Sequence, residues 1–489
     1  MGRKSIIIIP ILVLVSMLAG AGAVFAQAPY PSYGIGPDKH LFRIQTPYMP
    51  VRVLGTKLYE KNETGMLTDA SGLNNPNDIF IDGSDSIYVA DNYNNRVVKI
   101  NDEGLILQQF GTGEGKQKLK APEGVYASDN GDVYVADTGN QRIAVYSADG
   151  HWLKEYKKPG DVSLKNVMFA PIRVSLDARG FLFVVLKGSN QGIAVLSPEG
   201  KFQGFFGRNK TEMTLIDKLK RKLYTQEQVE TSSNQEAASV SDLFIGSDHY
   251  IYTCTLNVTE GQIKKLNTKG EDLFKDVDMK VSSRFIDASG GLSIGDITVD
   301  SNGIIYSFDR NSGLVLVYDN DGQVLAAFGT KLTGNNYIIG SFGVPVSIAV
   351  NSKGMIYVAD QTYNGIHVFK PTEFMNKVLT ATNLYNNGDY AKAKPYWEDL
   401  LKRNVFYYKA HLGLGGIYYE NEQWAKSMEE MKIAENQQLF SDAYWQLRVI
   451  WIQRNLNAIA ASFVLLAVIF YLLNKWKRGK LKRMKEEQP

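Results

Sequence analysis

Apolar residues come along this chain in short bursts, and the bursts repeat. The stretch IYVADNYNNRVVKI at 87–100 runs apolar, aspartate, polar turn, arginine, apolar. VYVADTGNQRIAVY at 133–146 and IYVADQTYNGIHVF at 356–369 repeat it almost word for word. Runs such as 87–90 are apolar on both faces, which suits strands sandwiched between neighbouring sheets. Each run is preceded by a shorter strand pattern: NPNDIFID at 75–82, APEGVYAS at 121–128 and APIRVSLD at 170–177, then more loosely VSDLFIGS at 240–247, IGDITVDS at 294–301 and VPVSIAVN at 344–351. A third strand comes after each polar turn, and often a fourth that ends in Phe-Gly, as at Phe110-Gly111, Phe206-Gly207 and Phe328-Gly329.

Six units therefore run from about 75 to 371, each with about four strands, and the spacing predicts a closed ring of sheets. One four-stranded sheet cannot bury two apolar faces alone, so six must stack. The last unit lacks an outer strand, because Pro371 leads directly into helical sequence. The segment 43–54 (RIQTPYMPVRVL) could supply it and fasten the ring.

The order Pro-x-x-apolar, YVAD, Asn-x-Arg, Phe-Gly resembles NHL repeats over some three hundred residues, closely in units 1 and 2, fairly in 5 and 6, and in degraded form in 3 and 4. The resemblance implies a mainly β fold, a six-bladed propeller at about 40–371. From 372 the pattern changes. LYNNGDYAKAKPYWEDLL at 384–401 and IYYENEQWAKSMEEMKIA at 417–434 align at a 34-residue shift, pairing Tyr385 with Tyr419 and Tyr390 with Trp424. That period, with small residues at the helix crossings, resembles tetratricopeptide repeats and places a small helical solenoid at 372–450. Ser441 is the expected cap of a third helix running through Trp445 and Trp451 toward the C-terminal apolar segment.

That segment, residues 458–473 (AIAASFVLLAVIFYLL), carries no charge, and with Leu456 and Asn457 it makes a transmembrane span at 456–474. The tail 475–489 holds seven Lys or Arg against Glu486 and Glu487, which places it in the cytoplasm. At the other end, Arg3 and Lys4, an apolar run and a small-residue finish at Ala26 form a secretory signal over 1–26; an uncleaved anchor is the other reading. Both signals put the propeller outside the membrane. The net charge of +3 belongs to the ends, leaving about −4 on the exported part. That balance excludes nucleic acid as a partner. The single cysteine, Cys254, excludes intrachain disulfides and cysteine-cluster metal sites.

Asp91, Asp137 and Asp360 recur at one unit position and Arg96 and Arg142 at another, so they read as turn-fixing hydrogen bonds. FGTGEGKQ at 110–117 lacks the first Gly and the final Ser or Thr of a phosphate loop. The positions that do not repeat are the informative ones. At the start of the six inner strands stand Asp78, Gly124, Arg173, Asp242, Asp296 and Ser347, with Glu123 one step away. Three carboxylates and an arginine around one channel mouth could bind Ca2+ or another divalent cation through Asp78, Asp242 and Asp296, or grip a polar ligand. The alternative is that aspartates there cap backbone amides. Propellers of this kind resemble gluconolactonase-type hydrolases and amidating lyases, which place a divalent metal at this mouth, but the lyase histidines have no counterpart among the five here. Tyr93 and Tyr363 on neighbouring turns suit sugar rings or a protein partner. The insertion 208–239 carries Leu215, Ile216, Leu219 and Leu223 at helical spacing, as a lid or as a solvated helix. The triplets beginning at Asn62, Asn209 and Asn257 fit glycosylation signals that chance also explains.

The expectation is a membrane-anchored extracytoplasmic binding or scaffold protein that recruits a glycan, a peptide or an envelope protein, as in a membrane transporter assembly. The alternative is a metal-dependent lactonase- or lyase-like enzyme.

Overall fold

The computed structural model describes residues 28–36, 40–209, 237–258, 261–277, 292–334 and 337–486. The expected secretory signal at 1–26 and most of the 208–239 insertion lie outside the described residues. The chain divides into two units, Met1–Leu379 and Thr380–Pro489, each compact in itself.

In the first unit each sequence repeat folds as an antiparallel meander. The first is Pro76–Ile81, Ile87–Asp91, Arg96–Ile100 and Ile106–Phe110, with neighbours in sequence paired in space. The turns that join third to fourth strands need a left-handed residue, and glycine supplies it at Gly150 (φ +87°) and Gly200 (φ +82°). The six inner strands are Pro76–Ile81, Gly124–Ala127, Pro171–Leu176, Asp242–Ile245, Ile294–Val299 and Pro345–Val350. Each packs beside the next, and the last returns to the first, so the sheets close into a six-bladed propeller. The second strand of every blade, from Ile87–Asp91 to Ile356–Asp360, is buried at all its positions. That explains their unbroken apolar spelling. The core is accordingly a series of slabs between blades; one joins Val89 and Val98 of blade 1 to Tyr357 and Val368 of blade 6.

The expected fastening is present. Tyr48–Leu54 forms the fourth strand of blade 6, pairing with Gly365–Pro371 in a register that sets Leu54 opposite Ile366 and Arg52 opposite Val368. Two additions had no periodic signal. Ser32–Ile35 and Leu41–Arg43 extend blade 5 to six strands, entering beside Val324–Phe328. A hairpin, Leu58–Lys61 with Leu67–Ala70, precedes blade 1. Blade 4 has three strands among the described residues. An aromatic knot ties the N-terminal strands to both closing blades. The Phe328 ring lies 5.0 Å from Tyr48, 5.3 Å from Phe369 and 5.7 Å from Tyr30, and the Tyr30 hydroxyl donates to the Tyr48 carbonyl at 2.7 Å.

Six helices come next: α1 (Glu373–Asn386), α2 (Tyr390–Arg403), α3 (Tyr408–Glu420), α4 (Trp424–Ile433), α5 (Gln437–Arg454) and α6 (Leu456–Glu486). The 34-residue shift is a repeat of structure. Tyr385 packs on Tyr390 at 5.2 Å and Tyr419 on Trp424 at 4.9 Å, and the turns between hold left-handed residues at the matching positions Gly388 and Glu422. Gly413 and Gly416 let helices approach closely, since a Cβ there would strike Trp397 and the Tyr385 hydroxyl. Two details differ from expectation. α5 is capped by Asn436, whose side chain accepts from the Leu439 amide at 3.0 Å, so Ser441 lies inside the helix. Nor does α5 run on unbroken, because it ends at Arg454 and Asn455 leaves helical geometry before α6 begins. Within α6, Leu456–Gly479 is 24 residues, uncharged until Lys475, and none of its apolar window is buried. At 1.5 Å per residue it spans about 36 Å, long enough to cross a bilayer.

Phe328→Ala is expected to cost about 3–5 kcal/mol, the usual range for emptying a buried aromatic site, and Phe328→Leu clearly less. Urea unfolding measures both. A loss under about 1 kcal/mol for alanine would mean that the knot does not fasten the ring.

Candidate functional site

The repeated aspartates are turn-fixers. Asp91 accepts from the Asn74 amide at 2.7 Å and from Arg96 Nε at 2.8 Å; Asp137 accepts from the Lys120 amide at 2.8 Å and from Arg142 Nε at 2.7 Å. Asp360 accepts from the Gly343 amide at 2.7 Å. Asp309 serves blade 5 in the same way, a position the looser spelling IIYSFD concealed; all four are fully buried. Each ties the end of a second strand to the approach of the inner strand beside it. The segment 110–117 is an interblade turn closed by the Leu119 amide on the Gly111 carbonyl at 3.1 Å. Asn209 is buried and donates to the Ala238 carbonyl and to Thr255, which removes it as a glycan acceptor in the folded chain.

The six non-repeating positions do converge on the axis, and the contacts of four of them obey one rule. A side chain at this position bonds to the amide one residue further along in the next blade. Asp78 accepts from Val125 N at 2.9 Å, Asp242 from Ile297 N at 3.1 Å and Asp296 from Ile348 N at 2.7 Å. Ser347 Oγ accepts from Ile79 N at 3.1 Å and donates to Asp78 at 2.9 Å. Gly124 has no side chain because there is no room for one: a Cβ would sit 2.5 Å from the Ile172 carbonyl. Arg173 completes the circle from the centre. Its Nε donates to Asp242 at 2.9 Å and lies 3.6 Å from Asp78, while its terminal nitrogens reach the carbonyls of Glu123 at 2.8 Å and Asn77 at 3.3 Å.

The electrostatics follow from burial. Asp78, Asp242 and Asp296 keep at most 7% of their surface. Burial raises the Asp78 carboxyl to about 6, against the pull of Arg173. Burial and the adjoining Asp296 carboxylate raise Asp242 further. Burial opposes the charge on Arg173, but the three carboxylates hold it firmly protonated. The lone pairs of the aspartates are thus directed at amides and a guanidinium. Among the described residues no group of three or more His, Cys, Asp and Glu has the arrangement to hold a metal ion.

The other candidates scatter. The Glu123 carboxylate turns to Lys187 Nζ at 2.8 Å. Tyr93 is 66% exposed and has no aromatic neighbour among the described residues. Tyr363 is half-buried, edge-on to the exposed Tyr337 at 5.1 Å and to His367 at 4.5 Å. Burial holds His367 down near 4, a neutral core histidine. Sequence reasoning passed over Arg310, which follows Asp309 and sits where Asn92 and Gln361 sit in their blades. Repeat alignment of blade 5 would have found it.

A family model described as NHL repeat matches residues 73–100 and 119–146, the first two blades. No curated protein matches the sequence. Among solved structures the chain is similar to a streptogramin B lyase, with TM-score 0.40 and 15% identity over 71% of this chain and 95% of that one. It is similar to virginiamycin B lyase from Staphylococcus aureus, with TM-score 0.39 and 14% identity over 70% and 95%. It is also similar to an extracellular domain assigned to a one-component system of B. thetaiotaomicron, with TM-score 0.39 and 12% identity over 66% of this chain and 40% of that one. No ligand or reaction passes to this chain from them.

Asp78 titrates near 6 in the fold and near 3.8 as a free side chain. Its raised value contributes stability that is complete below about 3.8 and is lost as pH rises through about 6, a difference of about 2–3 kcal/mol. Asp78→Asn should therefore flatten the change in melting temperature between pH 5 and pH 7.5 relative to the wild type. Arg173→Met should cost about 3–5 kcal/mol at pH 7.5, and less at pH 5 where the Asp78 carboxyl takes up a proton. Unchanged slopes in both variants would show that the cluster does not titrate with folding.

Proposed function

We propose that this protein is a membrane-anchored, extracytoplasmic binding or scaffold protein, in which the propeller and tetratricopeptide-like helices recruit a glycan, peptide or envelope protein to a membrane assembly such as a transporter. The observation that carries this reading is the employment of the axial side chains. Asp78, Asp242, Asp296, Ser347 and Arg173 bond to neighbouring blades, which leaves them engaged in holding the ring. Ser347 Oγ does lie beside the Asp78 carboxylate at 2.9 Å, but each also accepts from an amide of the neighbouring blade. What faces solvent on the rim is aromatic and polar, with Tyr93 and Tyr337 both largely exposed, and such side chains suit recognition. The exposed apolar α6, with Lys475, Lys477 and Arg478 at its end, supports a single span with a cytoplasmic tail. The secretory signal at 1–26 supports an outward propeller.

One observation favours a metal-dependent lactonase or lyase as the second reading: three carboxylates meet on one axis. A cation there would take them from Arg173 and from three amides.

Full-length protein extracted in mild detergent is expected to co-purify with a defined envelope partner or to be retained on a glycan resin, and Tyr93→Ala combined with Tyr363→Ala to weaken that retention. Retention of nothing above the level of an unrelated single-span protein would refute the scaffold. Titration of the same preparation with Ca2+ and Zn2+ is expected to leave its melting temperature unchanged. A rise that Asp242→Asn abolishes would instead establish the metal site.

A further inference from the structure

Above the axial cluster lies a second ring. In each blade one residue directly follows the second strand, at the end where the inner strand begins: Asn92, Thr138, Lys187, Thr255, Arg310 and Gln361. Five of the six are partnered. Asn92 donates to the Pro122 carbonyl at 3.0 Å, Thr138 to the Pro171 carbonyl at 2.6 Å, Lys187 to Glu123 at 2.8 Å and Gln361 to the Asn77 side chain at 2.6 Å, while Thr255 accepts from Asn209 at 3.0 Å. Arg310 differs. Its backbone is held firmly, the amide on the Ser293 carbonyl at 2.9 Å and the carbonyl under Lys331 Nζ at 2.9 Å. Its guanidinium makes no hydrogen bond or ion pair among the described residues, and its Nε is buried without a partner.

The placement is built. Gly295, in the inner strand of blade 5, leaves room for two side chains; a Cβ there would strike the Phe308 ring and lie 2.7 Å from Arg310 Nε. Gly295 has no left-handed backbone to require glycine, so the requirement is space. The guanidinium is thereby laid toward Asp242, Asp296 and Arg173. Burial and the repulsion of Arg173 depress it, and the carboxylates only partly offset this. A half-buried cation whose largest charged neighbour is another cation is left only partly compensated by the protein's own carboxylates.

We propose that Arg310 is the anchor of an anion subsite at the channel mouth, where its guanidinium receives one carboxylate of a ligand. A planar guanidinium matches a carboxylate through paired N–H donors. The monovalent choice follows from the neighbours, because the Asp296 carboxylate near the guanidinium disfavours a dianion such as phosphate. The carboxylate could come from a sugar acid or from an acidic peptide side chain. The inference deepens the binding-protein reading and rests on it.

The test uses full-length protein in mild detergent, titrated calorimetrically with glucuronate, N-acetylglutamate amide, glucose and inorganic phosphate. At least one of the two carboxylates is expected to bind and to raise the melting temperature, and glucose is not; which carboxylate binds identifies the source. Arg310→Met should weaken binding at least tenfold and Arg310→Lys should restore part of it. Without ligand, Arg310→Met should melt no lower than wild type, since it removes an incompletely compensated, half-buried charge. The proposal is overturned if neither carboxylate binds, if phosphate binds more tightly than both, or if Arg310→Met binds as wild type does. It is equally overturned if Arg310→Met melts several degrees lower and Arg310→Lys binds no carboxylate, which would make Arg310 a fold-holding residue. Failure of the pull-down alone bears on the scaffold reading and leaves this titration to decide the subsite.

Discussion

The whole propeller depends on closing a ring of six sheets whose inner strands do not hydrogen-bond to one another's ladders. Inner strands in neighbouring blades splay apart, and each leaves an amide at the axis that must find an acceptor. Here the acceptors are side chains. Asp78 joins blade 1 to 2, Asp242 joins 4 to 5, Asp296 joins 5 to 6 and Ser347 joins 6 to 1. Arg173 serves the remaining joints, blade 2 through the Glu123 carbonyl and blade 4 through Asp242. One buried guanidinium balances part of the charge that this pattern of acceptors brings into the core.

That arrangement limits what the centre can do. A carboxylate whose lone pairs hold amides of the next blade is committed to closure, and breaking one partner of a buried charged pair is costly. On the proposed binding reading, recognition falls outward, to the rim above. There Tyr93, Tyr337 and Arg310 differ from blade to blade, while the bonds beneath them repeat.

The second constraint is the ends of the ring. Strands drawn from 32–54 complete blades 5 and 6, and the knot of Tyr30, Tyr48, Phe328 and Phe369 packs them together. Closure by chain segments far apart in sequence means that the N-terminal region and the last blade stabilise each other. In the second unit the same economy recurs, with aromatic pairs and left-handed turns repeated every 34 residues.

Six repeats, an apolar helix and buried turn-fixing aspartates were all readable from spelling, because period and composition are local properties. The strand 43–54 was readable by elimination, since blade 6 lacked an edge. Ser32–Ile35 and the hairpin at Leu58–Lys61 were not, as short strands at an edge carry no period. The sequence also placed Asp78, Asp242 and Asp296 at one mouth, for equivalent positions in a closed repeat must meet. It could not say what they bond to. That depended on the offset of one residue between adjacent blades, and on Arg173 reaching across the axis from a blade whose repeat is degraded. Whether a carboxylate faces solvent or a neighbour's amide is set by packing between sheets, and only the closed ring decides it.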